Sequence, residues 1–505
     1  MKRWAWLVAM ALLAAPASAD EKKKKKDEKK TAEAPAPVQD PVAEAEAKLA
    51  AGDADGAIAT LGAALAAPGA AAGAAALRLG RLREERGELD LAIDAYKVAG
   101  EKLEGRTKGE ALGRMAVTQD TRGMSDAGAS AQAAMAADPE GIWPMIAMAH
   151  LRVHEGNADE AVALAQKALA AGGGAPASAA LGHALQAKGD LQASETAFRE
   201  AMAADPTSFA PVIGLASVLR RSGRAAEAEP LLQKVIDASP GAVEAYEEMA
   251  RTKLALGRAQ DALADASIAA AMSENDPEAQ QLLLEVKIAR ALQALAQGQA
   301  DLAVQDLAQL RDQNPASAEV RLGLARAQLA RRDADGAIAE LTKAVELDPK
   351  LAEGWHGLGD AYYMKGNVAA ALPPYEKAVA IAPGTLAYRA SLGSALAAAR
   401  LFDRAIAELT TVTGDASYTR PEAWISLGQA YVGAKRYKEA VPILNKATSL
   451  APNSDQAWAF LAWAYFGLKD AANFKAAGAK ARSLGHKEPT LLQYLKRIEG
   501  GEAIK

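Results

Sequence analysis

Residues 352–385 read AEGWHGLGDAYYMKGNVAAALPPYEKAVAIAPGT, and their reading decides the fold. Trp355, Leu358, Gly359 and Tyr362 fall three and four apart, the spacing that gathers side chains on one face of a helix. Gly366-Asn367 then supplies residues that tolerate positive φ and so end that helix. Ala371, Tyr375 and Ala378 resume the helical period. Pro383 stops it, because proline cannot continue a helix. The stretch spells helix, turn, helix.

Working outward, the same offsets recur from units beginning near Gln39, Gly73, Lys108, Ile142, Ala175, Phe209, Val243, Gln280, Ala318, Ala352, Leu386, Pro421 and Asp455. A small residue holds the eighth place in most of them, as at Gly182, Ala216, Gly359, Gly393 and Gly428. Alanine holds the twentieth, as at Ala161, Ala228, Ala371 and Ala440. Larger side chains at either place would push the two helices of a unit apart. Glycines such as Gly189, Gly223 and Gly366 mark the inner turns, and Pro206, Pro349, Pro383 and Pro452 close the second helices.

The pattern W-x₂-L-G-x₂-Y, A-x₃-F, P, here with Tyr375 for the Phe, resembles the tetratricopeptide repeat (TPR), a 34-residue helix–turn–helix unit. The resemblance implies an all-α fold, an α-solenoid of stacked hairpins forming a right-handed superhelix. It also implies a concave groove, lined by one face of each first helix, that binds extended or helical segments of partner proteins. Carried onto this chain, the middle of the groove presents His183, Arg220, Arg221 and Arg251, a modest basic patch. Further along it presents His356, Asp360, Tyr363 and Met364, then the small Ala390, Ser394 and Ala397. The last two units contribute Ile425, Gln429, Trp463 and Phe466. These aromatics either pack on the next unit and a C-terminal helix or form an apolar pocket for a partner's side chains.

The repeats are uneven, and the chain divides accordingly. Residues 1–19 read as a secretory signal: Lys2 and Arg3, an apolar run from Trp4 to Ala15, then Ala17-Ser18-Ala19 for cleavage. Residues 20–41 form a Lys-rich and Ala/Pro tail whose charge and low hydrophobicity predict disorder. Weak repeats follow over 42–141 and firmer ones over 142–279. The unit over 280–317 is irregular, with about one extra turn expected in its first helix. Residues 318–488 hold the strongest repeats, and Leu491, Leu492, Leu495 and Ile498 in 489–505 predict a capping helix. Of the 24 aromatic residues, 17 lie after Lys350, so the last third should pack most firmly.

Composition narrows the function. The formal net charge is −5 and there is no cysteine. Nucleic-acid binding, disulfides and a lipid-anchored N-terminus are therefore not expected. Beyond the leader no stretch is apolar enough to span a membrane. No phosphate loop, zinc-protease helix or nucleophile elbow is present, so no cofactor and no catalytic residues are expected. His150 and His154 stand four apart on one helix face, a spacing that two ligands of a zinc or copper site could use, although no third ligand is evident. The bland alternative is a pair of polar surface residues. These readings converge on an exported bacterial scaffold or assembly factor, periplasmic or secreted, that holds a protein or peptide partner within an envelope machine. The alternative is a binder of cell-wall glycan. Lys22–Lys30 could contact anionic membrane or cell wall electrostatically.

Overall fold

The computed structural model describes residues 40–273 and 276–504. The expected signal at 1–19 and residues 20–39 of the expected tail lie outside them. Among the described residues there are 27 helices, thirteen antiparallel pairs and one more.

The first two pairs are α1 (Pro41–Ala50) with α2 (Ala54–Ala64) and α3 (Ala70–Glu85) with α4 (Leu89–Lys102). Next come α5 (Gly105–Thr121) with α6 (Ala127–Ala137), α7 (Ile142–His154) with α8 (Ala158–Ala170), and α9 (Gly174–Lys188) with α10 (Leu191–Ala204). The middle holds α11 (Ala210–Arg221) with α12 (Ala225–Ala238), α13 (Val243–Ala255) with α14 (Ala259–Met272), and α15 (Pro277–Ala296) with α16 (Ala300–Gln313). Then follow α17 (Ala318–Ala330) with α18 (Ala334–Leu347), α19 (Ala352–Met364) with α20 (Val368–Ile381), and α21 (Leu386–Ala398) with α22 (Phe402–Thr413). The last pairs are α23 (Pro421–Gly433) with α24 (Tyr437–Leu450) and α25 (Asp455–Gly467) with α26 (Ala471–Ser483), and α27 (Pro489–Glu499) ends the chain. Two compact units divide between Ala111 and Leu112, inside α5.

One steric device builds each hairpin. A Cβ on Gly359 would lie 2.5 Å from ring carbons of Tyr375, and one on Gly428 would lie 2.2 Å from a methyl of Leu444. In both cases the large residue stands sixteen positions after the glycine. Gly182 with Phe198 and Gly393 with Leu409 repeat the arrangement. Gly80 with Tyr96 extends it into the N-terminal unit, where the sequence pattern is faint. The partners Tyr96, Phe198, Leu409 and Leu444 are fully buried, worth about 1.5–3 kcal/mol each by hydrophobic transfer. Ala161, Ala228, Ala371 and Ala440, at the twentieth place, are fully buried too.

The inner turns need a left-handed residue, which glycine supplies at Gly366 (φ 76°). Four turns place Arg332, Arg400, Lys435 and Lys469 there instead, at φ of 58–63°. The irregular helix is α15, with 20 residues against 13 in α13 and in α17. That is about two extra turns at 3.6 residues per turn, where one was expected. Three of the added residues come at its start: Asp276 caps it by accepting from Glu278 N at 2.9 Å, and Pro277 opens it ahead of the Gln280 expected from sequence. At the C-terminus Leu491, Leu495 and Ile498 of α27 are buried on α26 and α25.

Candidate functional site

The first helices of the pairs carry the polar side chains that converge. Within residues 112–505, a cavity of about 450 Å³ opens between α5 and α7 on one side and α13 and the start of α15 on the other. Its wall is completed by the α5–α6 turn and by Ser273 and Asp276 of the α14–α15 connection.

Asp120, near the end of α5, organises the first wall. Its Oδ2 accepts from His150 Nδ1 at 2.9 Å and its Oδ1 from His154 Nε2 at 2.7 Å. A carboxylate can only accept, so both imidazoles donate an N–H to it. Burial opposes ionisation of Asp120, yet the hydrogen bond from His150 and the charges of His150 and His154 outweigh it and hold its carboxyl below the usual range. His150 stacks obliquely on His183, centroids 5.7 Å apart, and His183 meets the ring of Phe198 edge-on at 4.9 Å. Burial, helped by repulsion from His150 and opposed by Asp120, pushes His183 down to about 4. His150 and His154, whose spacing two metal ligands could use, are thus turned onto one shared carboxylate. Among the described residues no group of three or more His, Asp or Glu is arranged to hold a metal ion.

The opposite wall is acidic. Glu247 on α13 is 12% exposed at its side chain and faces Arg251 at 3.4 Å. Burial pushes its carboxyl up against the pull of Arg251, and Asp276, Glu244 and Glu278 add repulsion. Ser273 is 7% exposed, and its Oγ has no hydrogen-bond partner among the described residues.

The four residues expected as a basic patch each have a neighbour in the structure. Arg220 Nε donates to Glu248 Oε1 at 2.6 Å, with Nη2 to Oε2 at 3.3 Å. Glu248 is 6% exposed, so this is a nearly buried tie between α11 and α13. Arg251 is held by Glu247, His183 is partly covered by its ring neighbours, and Arg221 donates to the Gln186 carbonyl at 3.3 Å. Packing between neighbouring hairpins neutralises Arg220, whereas Arg221 stays exposed and Arg251 partly so.

Farther along, α19 presents a second polar group. His356 stacks on Tyr388 at 4.7 Å, and its Nε2 lies 2.9 Å from Ser391 Oγ. Burial pushes its pKa down, opposed by Asp360. Asp360 accepts from the Tyr375 hydroxyl at 2.7 Å, while Tyr363 and Met364 stand exposed. Ser394 Oγ meets Ser426 Oγ at 2.9 Å, whereas Ala390 and Ala397 are buried in the core. Ile425 is buried as well, with Ala447 and Ala457, and Gln429 is half-buried. Trp463 and Phe466 pack on the last helix: Tyr494 meets their rings at 6.1 and 4.8 Å, and Trp463 Nε1 donates to Glu488 Oε2 at 3.0 Å. Of the two readings of these rings, these contacts favour packing on the C-terminal helix.

Asp120, Glu244, Glu247, Ser273, Asp276 and Glu278 escaped the sequence reading. One signal was present: Asp120 precedes His154 by one 34-residue repeat, so equivalent places on adjacent first helices lie side by side. Nothing local announces that α13 faces α5.

Paired helices with small residues at each crossing, stacked in chain order, define an α-solenoid built for protein interaction. The chain belongs to the tetratricopeptide repeat family, whose models match residues 42–102, 179–243, 294–359, 352–384 and 421–464. No curated protein sequence matches it. Among solved structures, it is similar to the APC/C hetero-tetramer Cut9–Hcn1 (14% identity, 84% of this chain and 96% of that one, TM-score 0.38). Yeast Tom70 is similar at 15% identity over 85% of this chain and 95% of its own, TM-score 0.34. YrrB, a TPR protein with an unusual peptide-binding site, matches at 19% identity over 38% of this chain and 97% of its own, TM-score 0.33.

Proposed function

We propose that this protein is a non-catalytic scaffold of the bacterial envelope that holds partner polypeptides along its first-helix face. One observation carries the reading: half-buried polar side chains recur on first helices, from His150 on α7 through Glu247 on α13 to His356 and Asp360 on α19, where Tyr363 stands exposed beside them. A long surface of modest contacts suits avidity for an extended segment. A signal-like start at 1–19 supports export, with a mature N-terminus at Asp20. Among the described residues no helix is long and apolar enough to cross a membrane. Against the glycan alternative stands the packing of Tyr494 on Trp463 and Phe466, whose rings are both half-buried.

A photo-crosslinking amino acid at Tyr363, exposed on α19, should give a discrete adduct in cells, whereas the same probe at Lys446 on α24 should not. Equal labelling at both positions would refute groove recognition. N-terminal sequencing of the protein from the periplasmic fraction should start at Asp20; a cytoplasmic protein retaining residues 1–19 would overturn the export reading.

A further inference from the structure

We propose that the cavity between α5–α7 and α13–α15 receives the ammonium or guanidinium of a lysine or arginine carried by a partner polypeptide. The proposal rests on the scaffold reading and gives one part of its groove a chemical preference.

Charge is the first argument. Among the described residues five carboxylates line the cavity, Asp120, Glu244, Glu247, Asp276 and Glu278, against one guanidinium, Arg122, with His150 and His154 turned to Asp120. Asp120 already receives two N–H groups, so the unmet negative charge concentrates on the α13–α15 wall. There Glu247 is nearly buried among three other carboxylates, and Arg251 at 3.4 Å does not offset the penalty. A carboxylate held so is relieved by a cation arriving from outside.

An unpaired hydroxyl points the same way, independently of charge. Ser273 is 7% exposed, lines the same cavity and leaves its Oγ without a partner among the described residues. Buried hydroxyls are ordinarily hydrogen-bonded, and an orphan asks what completes it. An N–H donor satisfies both the hydroxyl oxygen and the carboxylates. A guanidinium or ammonium brings several such donors.

The shape of the cavity suits a long side chain. The space of about 450 Å³ exceeds what a bare ion needs, and among the described residues no three acidic or histidine groups converge as metal ligands. It opens along the first-helix face, so a backbone can lie in the groove while one long side chain reaches in.

Fluorescence anisotropy of the full chain with fluorescein-labelled hexalysine tests this. Binding should weaken steeply with salt and vanish when the lysines are acetylated. Glu247→Gln/Asp276→Asn should weaken it by about tenfold or more, with no fall in melting temperature, because asparagine still caps α15. Glu346→Gln/Asp403→Asn removes the same charge from exposed second-helix positions and should stay within about twofold. Ser273→Ala, which leaves the charge untouched, should cost a few-fold. Putrescine, an ammonium without a backbone, should bind about tenfold more weakly than hexalysine. Equal losses in the two double variants, or none in the cavity variant, would overturn the site. Equal affinity for putrescine would overturn the polypeptide as occupant. Because Tyr363 lies outside this cavity, its crosslink tests the scaffold reading separately.

Discussion

His183 shows how burial turns a common side chain into a pH-dependent one. Its folded pKa of about 4 lies below the ordinary 6.5. The unfolded chain therefore takes up a proton that the folded one refuses. Stability is full above about pH 6.5 and is lost as pH falls towards 4, by about 2–3 kcal/mol at 1.36 kcal/mol per pKa unit. Hydrogen exchange across α9 and α10 should show opening made easier by that amount between pH 7.5 and 4.5, with the loss absent in His183→Gln. Identical pH profiles for the two proteins would sink the account. The sequence placed His183 in a groove because its offset matched. It could not say that Phe198 and His150 would lie against the ring, since those neighbours come from another helix and another repeat. The same limit applies to Arg220: the period names its face, but Glu248 on the next first helix decides its fate.

At the scale of elements, steric pairing was legible and capping only half so. Gly359 and Tyr375 could be matched from the 352–385 stretch alone, because both lie in one hairpin. Trp463 and Phe466 could be read as groove or as packing, and the choice turned on how α27 sits. That helix buries Leu491 and Leu495 completely. Leu495→Asp, which puts a charge where a leucine packed, should release it at a cost of about 3 kcal/mol or more. Tryptophan emission should shift to the red as Trp463 meets water, and protease should cut within 489–499 while α19 and α20 stay protected. Unchanged emission would mean that α27 does not hold the ring. The length of α15 was also only partly visible, because Pro277 and Asp276 start it early while the period alone suggested one added turn.

At the scale of the whole molecule, stability is local, since within each unit a hairpin packs on its neighbours in chain order. The chain divides at Ala111, and all five tryptophans of the described residues lie after that division. Tryptophan fluorescence therefore reports the 112–505 unit, while circular dichroism reports both. Urea unfolding should give different midpoints by the two probes, departing from a single all-or-none transition. Coincident curves would show one cooperative block. The fold class and repeat phase were readable because each unit repeats one code. The acidic cavity was not, because it joins helices three and more hairpins apart and no periodicity encodes that encounter.

That separation has a consequence for change in this protein. Gly428 with Leu444, or Asp120 with His154, depends only on a hairpin and its neighbour, so duplicating or excising a unit leaves such pairs intact. The cavity behaves otherwise: its two walls meet only because a fixed number of units intervenes. Removing α9 and α10 would leave every remaining helix with a partner, yet would swing Glu247 out of line with Asp120. In this chain the tally of repeats is itself an inherited dimension of the site, as binding as any single residue within it.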